Sequence, residues 1–110
     1  MSAPLPLEID CATLSAWAKE SDAPVILDVR EPWEVAICAL PNSITIPLSA
    51  IPSRFSEIPE DRRVVALCHH GMRSLQATRW LRGRDMDNIV NLQGGIDAWS
   101  RQIDSTVPIY

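Results

Sequence analysis

The sequence predicts an α/β protein, a parallel sheet with helices on both faces. Two observations carry this. The β-branched runs Val25-Ile26-Leu27, Ile44-Thr45-Ile46, Val64-Val65-Ala66-Leu67 and Ile89-Val90-Asn91-Leu92 are continuous rather than alternating, the pattern of strands buried on both faces. Segments with helical spacing fall between these runs, and such alternation builds helix layers on either side of a sheet. The 110 residues suffice for one layered core and are too few for two, so residues 1–110 are read as a single domain.

The elements follow in order. Leu5 to Ile9 reads as a further short strand, confined to an edge by its prolines. Asp10 or Thr13 caps a helix carrying Leu14, Trp17 and Ala18 to about Glu20. Pro32 stands where the first turn of a short helix through Trp33 and Val35 begins. Ser49 opens another that holds Ile51 and Phe55. From Ser74 to about Arg84, Ala77, Thr78 and Leu81 share one face, and Gly83 lies near the end. Gly95 to Gln102 carries Ile96 and Trp99, with Ile103 continuing the stripe.

Composition excludes several classes. Hydrophobic residues make up 46% and charged residues 22%, as in a soluble globule rather than a disordered tail. The net charge of −4 comes without a basic run, so neither nucleic acid nor an anionic membrane finds a footprint. No stretch is apolar for long enough to span a bilayer. Met1 to Asp10 lacks the basic and apolar regions of a secretion signal, which makes a reducing cytoplasm the expected location. The cysteines, Cys11, Cys38 and Cys68, are odd in number and widely spaced, so a disulfide framework is not expected. No C-x-x-C pair is present, against a redox pair or a zinc knuckle.

The stretch from Val64 to Leu81 carries the chemistry. A buried strand ends at Leu67, Cys68 follows at once, and a loop to Arg73 leads into a helix around Ser74. Ligand sites of open α/β sheets lie beyond the carboxyl ends of the strands. Backbone N–H groups and the helix dipole there favour an anion. With Arg73 close by, they are expected to lower the Cys68 pKa and favour its thiolate. Gly71 gives the loop its conformational freedom, and Ser74 can cap the helix or donate its hydroxyl into the ring. A free cysteine at the end of a buried strand is commonly just a small core residue; the Gly, Arg and Ser that follow Cys68 favour the chemical reading.

The loop Cys68-His69-His70-Gly71-Met72-Arg73-Ser74 resembles the active-site loop of the rhodanese family, C-x-x-G-x-R-S. Leu27-Asp28-Val29-Arg30-Glu31 resembles the family's L-D-V-R-E, and Ile46-Pro47-Leu48 its I-P-L. Asn91-Leu92-Gln93-Gly94-Gly95-Ile96-Asp97-Ala98-Trp99 resembles its late N-L-x-G-G-I-x-A-W. The resemblance implies a central five-stranded parallel sheet with helices on both faces, and sulfurtransferase chemistry. The Cys68 thiolate would take the outer sulfur of thiosulfate or of a small-molecule or protein persulfide. It would then pass that sulfur to cyanide or to a thiol such as glutathione or thioredoxin. Loop N–H groups would stabilise the persulfide, and His69, His70 and Met72 would line the entrance. The sequence departs from the family between Glu34 and Ile44. There the usual Gly-His pair is Cys38-Ala39, and a usual Gly is Asn42.

Other candidates carry less. Asp28 and Arg30 lie just beyond a strand end, where they can reach the site or anchor loops through ion pairs. Asp28 is read as an anchor, while Arg30 stays open between the two roles. Adjacent side chains such as His69 and His70 rarely converge on one ion, and no partner His or Cys stands at ligand spacing. Neither a metal nor an organic cofactor is expected. Near neutral pH a titrating histidine at the rim can tune activity. Cys38 and Cys11 are read as buried, Trp17, Trp80 and Trp99 as packing groups, and Trp33 as a flank of the site. Two alternatives to sulfur transfer remain: a cysteine-dependent phosphatase, since cell-cycle dual-specificity phosphatases share this fold, and a non-catalytic persulfide-binding or interaction module. Phosphatase loops read C-x5-R; here four residues separate Cys68 from Arg73, a tighter ring that suits a sulfur atom.

Overall fold

The computed structural model describes residues 4–110, so Met1 to Ala3 of the stretch read for a secretion signal lie outside the described residues. Five strands form one sheet in the order β1-β5-β4-β2-β3, and every pairing is parallel. They are β1 (Glu8–Ile9), β2 (Val25–Asp28), β3 (Ser43–Thr45), β4 (Val64–Leu67) and β5 (Ile89–Leu92). The helices are α1 (Cys11–Trp17), α2 (Pro32–Ile37), α3 (Ile51–Arg54), α4 (Met72–Arg82) and α5 (Gly95–Gln102).

The central strands β2, β4 and β5 are buried along their whole length. Successive side chains of a strand point to opposite faces, so each continuous apolar run feeds two cores. Leu27, Val64, Ala66 and Ile89 pack on one face with Ile51, Ala77 and Leu81. Ile26, Val65, Leu67 and Val90 pack on the other with Leu14, Ile96 and Leu40. Trp80 lies against the first core, and Trp17 and Trp99 against the second. Each fully buried Leu or Ile stabilises the fold by about 1.5–3 kcal/mol. Cys11, Cys38 and Cys68 are all buried and unpaired, and no helix of the described residues is long and apolar enough to cross a membrane.

Local differences from the sequence reading have physical causes. The first strand shrinks to Glu8–Ile9, because Pro4 and Pro6 bring no N–H to a ladder. Asp10, not Thr13, caps α1, accepting the Thr13 N–H at 2.8 Å, and the helix stops at Trp17. The helix expected from Ser49 is three pieces: a 3-10 turn at Leu48–Ala50, α3, and a 3-10 turn at Phe55–Glu57. Pro52 sits in the first turn of α3, where it removes no bond. The largest difference is in α4, which begins at Met72 rather than Ser74. Ser74 is therefore a buried residue inside the helix, not its cap; Gly71 is the cap.

Two substitutions in the departing segment are absorbed by the backbone. Asn42 takes a left-handed conformation, φ 60°, which Asn tolerates better than other side chains. Its amide donates to the Pro24 carbonyl at 2.9 Å. At Cys38 the backbone carbonyl accepts from Arg30 Nη2 at 2.7 Å, a contact that any side chain there leaves intact.

Candidate active site

Cys68 follows the carboxyl end of β4, the middle strand, with the ends of β2 and β5 on either side. Its Sγ is the focus of the loop. The Gly71 N–H donates to it at 3.1 Å and the Ser74 hydroxyl at 3.3 Å. Cys68 is 1% exposed, so the sulfur lies at the bottom of a narrow cradle. The turn to Gly71 has φ +99°, and a Cβ there would press on Gly94 N and Leu92 O. That cost restricts the position to glycine.

The other wall is the start of α5. Ile96 N–H donates to the Cys68 carbonyl at 2.9 Å, and Asp97 N–H to the His69 carbonyl at 3.1 Å. These bonds tie both loop carbonyls to the first turn of α5. Gly95 permits the approach, since a Cβ there would collide with the Cys68 and His69 carbonyl oxygens. Asn91, fully buried in β5, ties the Gly71 carbonyl down at 3.1 Å.

Arg73 lies in the first turn of α4, and both its terminal nitrogens are held by Glu34, at 2.6 and 2.8 Å. The sequence reading placed Arg73 close to the sulfur as a full positive charge; the structure shows it as half of an ion pair at the rim. Glu34, 4% exposed at its side chain, projects from α2 beyond the end of β2. It also accepts the Glu31 N–H at 3.1 Å and the Tyr110 hydroxyl at 2.7 Å. The Arg73 hydrogen bonds hold its carboxyl down at about 2, outweighing burial, with Tyr110 assisting. The folded pKa is thus below the unfolded value, so the associated stability is present above pH ~4.5 and lost as pH falls toward ~2. Glu34→Gln is expected to cost up to about 3 kcal/mol at neutral pH. Urea unfolding from pH 7 to 2.5 should show the gap between variant and wild type closing as acid is added.

Asp28 and Arg30 are both fully buried and paired, Nη2 to Oδ2 at 2.7 Å and Nε to Oδ1 at 3.0 Å. Arg30 also reaches the Cys38 carbonyl, the Glu34 carbonyl at 3.4 Å and the Tyr110 hydroxyl at 3.1 Å. Neither residue hydrogen-bonds to Cys68; Arg30 fixes the segments around the loop.

His69, His70 and Met72 lie at the rim, with Met72 75% exposed. His69 is stacked between His70 and Tyr110, ring centroids 4.0 Å apart on each side. No His or Cys joins the two histidines among the described residues, but Asp97 brings an oxygen within 4.8 Å of their nitrogens. The His69 and His70 rings are stacked, 29° from parallel, and His70 Nδ1 lies 3.9 Å from Asp97 Oδ2. Glu34 and Tyr110 are the site residues that sequence reasoning missed. A carboxylate one helical turn beyond β2, at the same sheet end as Cys68, was a usable signal for Glu34; Tyr110 had none.

A parallel α/β sheet with a cysteine between the end of its middle strand and the helix that follows defines a class of thiol-bearing α/β domains. Residues 12–102 match the family model described as the Rhodanese-like domain, and the chain belongs to that family. It is 40% identical over 94 residues to a protein of Allochromatium vinosum named "Sulfurtransferase", covering 86% of this chain and 88% of that one. Its fold is similar to that of a rhodanese-related protein of Thermoplasma volcanium, with TM-score 0.80 and 34% identity over 89% of this chain and 94% of that one. A rhodanese-like domain protein of Staphylococcus aureus is similar at TM-score 0.82 and 28% identity, covering 96% and 99%.

Proposed function

We propose that this sulfurtransferase-family protein moves a sulfane sulfur through a persulfide on Cys68. The carrying observation is the cradle: Sγ at its foot, with the Gly71 N–H and the Ser74 hydroxyl aimed at it. In the first half-reaction the Cys68 thiolate attacks the outer sulfur of thiosulfate. A new S–S bond forms, the old one breaks, and sulfite leaves with the electron pair. In the second, a thiolate or cyanide attacks the terminal sulfur, giving a persulfide or thiocyanate and restoring the Cys68 thiolate. Charge and electrons balance without a cofactor. Transfer through the enzyme divides one difficult displacement into two, and the Gly71 N–H and Ser74 hydroxyl stabilise the charge on the sulfur.

Small thiosulfate and a protein persulfide both suit this chemistry as donors, and glutathione or thioredoxin as thiol acceptors. A thiol-reducing compartment such as the cytoplasm fits three unpaired cysteines. The four residues between Cys68 and Arg73 make a tighter ring than the C-x5-R loop of a phosphatase, which weighs against phosphoryl transfer. Intact mass spectrometry tests the reading. Thiosulfate should add one sulfur atom per chain, and cyanide should remove it with an equal yield of thiocyanate. A chain whose mass never changes, under thiosulfate or a low-molecular-weight persulfide, would sink the proposal.

A further inference from the structure

Tyr110 joins the buried Asp28–Arg30 pair to the Arg73–Glu34 pair at the rim. Its hydroxyl donates to Glu34 Oε2 at 2.7 Å and accepts from Arg30 Nη1 at 3.1 Å. Its ring lies 8° from parallel with His69 at 4.0 Å, and meets Trp33 edge-on at 6.2 Å. The segment leading to it is anchored. Asp104 N–H donates to the Trp99 carbonyl at 3.1 Å, Val107 N–H to the Asp104 carbonyl at 3.2 Å, and Val107 packs against the second core. One aromatic side chain thus touches the loop after Cys68, through His69, and the rim cation, through Glu34.

We propose that Tyr110 is a positioning residue for sulfur transfer, which sets the Arg73 guanidinium at the rim of the Cys68 cradle and so favours anionic sulfur donors. This rests on the persulfide reading of Cys68. The reasoning runs through Glu34. Its oxygens take four hydrogen bonds: two from Arg73, one from the Glu31 N–H and one from Tyr110. Together they fix the carboxylate plane, and a bidentate pair transmits that plane to the guanidinium. Burial and the Glu34 hydrogen bond push the Tyr110 pKa up to about 12, against the opposing pull of Arg30. The hydroxyl therefore keeps the proton it donates. The Arg73 side chain is 36% exposed, and the guanidinium N–H groups not turned to Glu34 remain for an incoming anion. Without the Tyr110 donor, Glu34 Oε2 loses one of its two hydrogen bonds and Arg73 samples a wider range. A dianionic donor needs that cation in one place; an uncharged donor does not.

Two variants separate the hydroxyl from the ring. Tyr110→Phe keeps the stack on His69 and removes the hydroxyl; Tyr110→Leu removes both. Steady-state kinetics with cyanide as acceptor are measured with thiosulfate and with an uncharged dialkyl trisulfide as donors. Cys68 attacks the trisulfide's central sulfur and an alkylthiolate leaves. One cyanide then takes the remaining alkylthio group as an alkyl thiocyanate and leaves the Cys68 persulfide. For Tyr110→Phe the KM for thiosulfate is expected to rise roughly five- to tenfold, with kcat within about twofold. The trisulfide constants should stay within about twofold of wild type. Tyr110→Leu should impair both donors, and its His69 ring protons should lose the upfield shift that the stacked phenol imposes. A merely structural Tyr110 would lower the melting temperature and leave this donor split at zero. Equal changes on both donors, or an unchanged thiosulfate KM, overturn the inference. Mass spectrometry of wild type distinguishes the failures. A wild-type chain that never gains sulfur refutes the persulfide reading and this inference with it. Normal loading with Tyr110→Phe matching wild type on both donors refutes the inference alone.

Discussion

Cys68→Ser is expected to abolish sulfur loading and thiocyanate formation, a loss of about a thousandfold or more, while the chain still folds. The two halves of that expectation come from different features. Serine keeps the size of the side chain and can use the same donors, the Gly71 N–H and the Ser74 hydroxyl. Putting a hydroxyl where a 1% exposed thiol packs with Ala66 and Ala77 should cost on the order of 1 kcal/mol. Chemistry is the larger loss, because a neutral hydroxyl is a poor nucleophile toward sulfane sulfur and no base stands against Sγ to activate it. The check is intact mass after thiosulfate, thiocyanate yield with cyanide, and a thermal melt of both proteins. Undiminished thiocyanate from the serine variant removes Cys68 from the reaction. Hydrolysis of an aryl phosphate without sulfur transfer would favour the phosphatase alternative. Partner binding indifferent to the Cys68 change would favour an interaction module.

What the sequence made legible was local in the chain. Continuous runs such as Val64 to Leu67 named the buried strands, and Cys68 directly after one of them was readable as the candidate nucleophile. The Gly71 turn was readable because only glycine suits φ +99° against a neighbouring backbone. The helix start was misjudged by two residues because Ser74 looks like a cap. Its hydroxyl is instead directed at Cys68 Sγ and its residue is wholly buried. The contacts that shape the rim were not legible. Glu34 meets Arg73 across 39 residues and Tyr110 across 76, distances over which only the strand order brings groups together. Likewise Asp97 reaches the histidines through the close packing of α5 on the loop, which local spacing cannot show. In the altered Cys38–Asn42 segment the fold uses the Cys38 carbonyl and the left-handed backbone of Asn42, contacts that the altered residue types do not display in the sequence.

Arg30→Met is expected to destabilise the protein by about 3–5 kcal/mol, a large part of the ~5–15 kcal/mol that holds an ordinary domain together. Methionine fills much of the volume, so packing is not the main loss. The cost comes from what Arg30 leaves behind. Asp28, 0% exposed, would keep only the residue-30 backbone N–H at 3.1 Å and lose three side-chain hydrogen bonds. The Cys38 carbonyl would lose its 2.7 Å donor, and a buried acceptor without a partner costs about 1–3 kcal/mol. Pairing the change with Asp28→Asn tests which loss dominates. If the stranded carboxylate is the main cost, the double variant should be more stable than Arg30→Met alone, with the two changes coupled by more than about 1 kcal/mol in urea unfolding. Strictly additive losses would instead put the cost in the Cys38 and Tyr110 contacts. In that case Arg30 serves chiefly to pin the departing segment and the Tyr110 hydroxyl beside Glu34, and the thiosulfate KM of Arg30→Met should rise as it does for Tyr110→Phe.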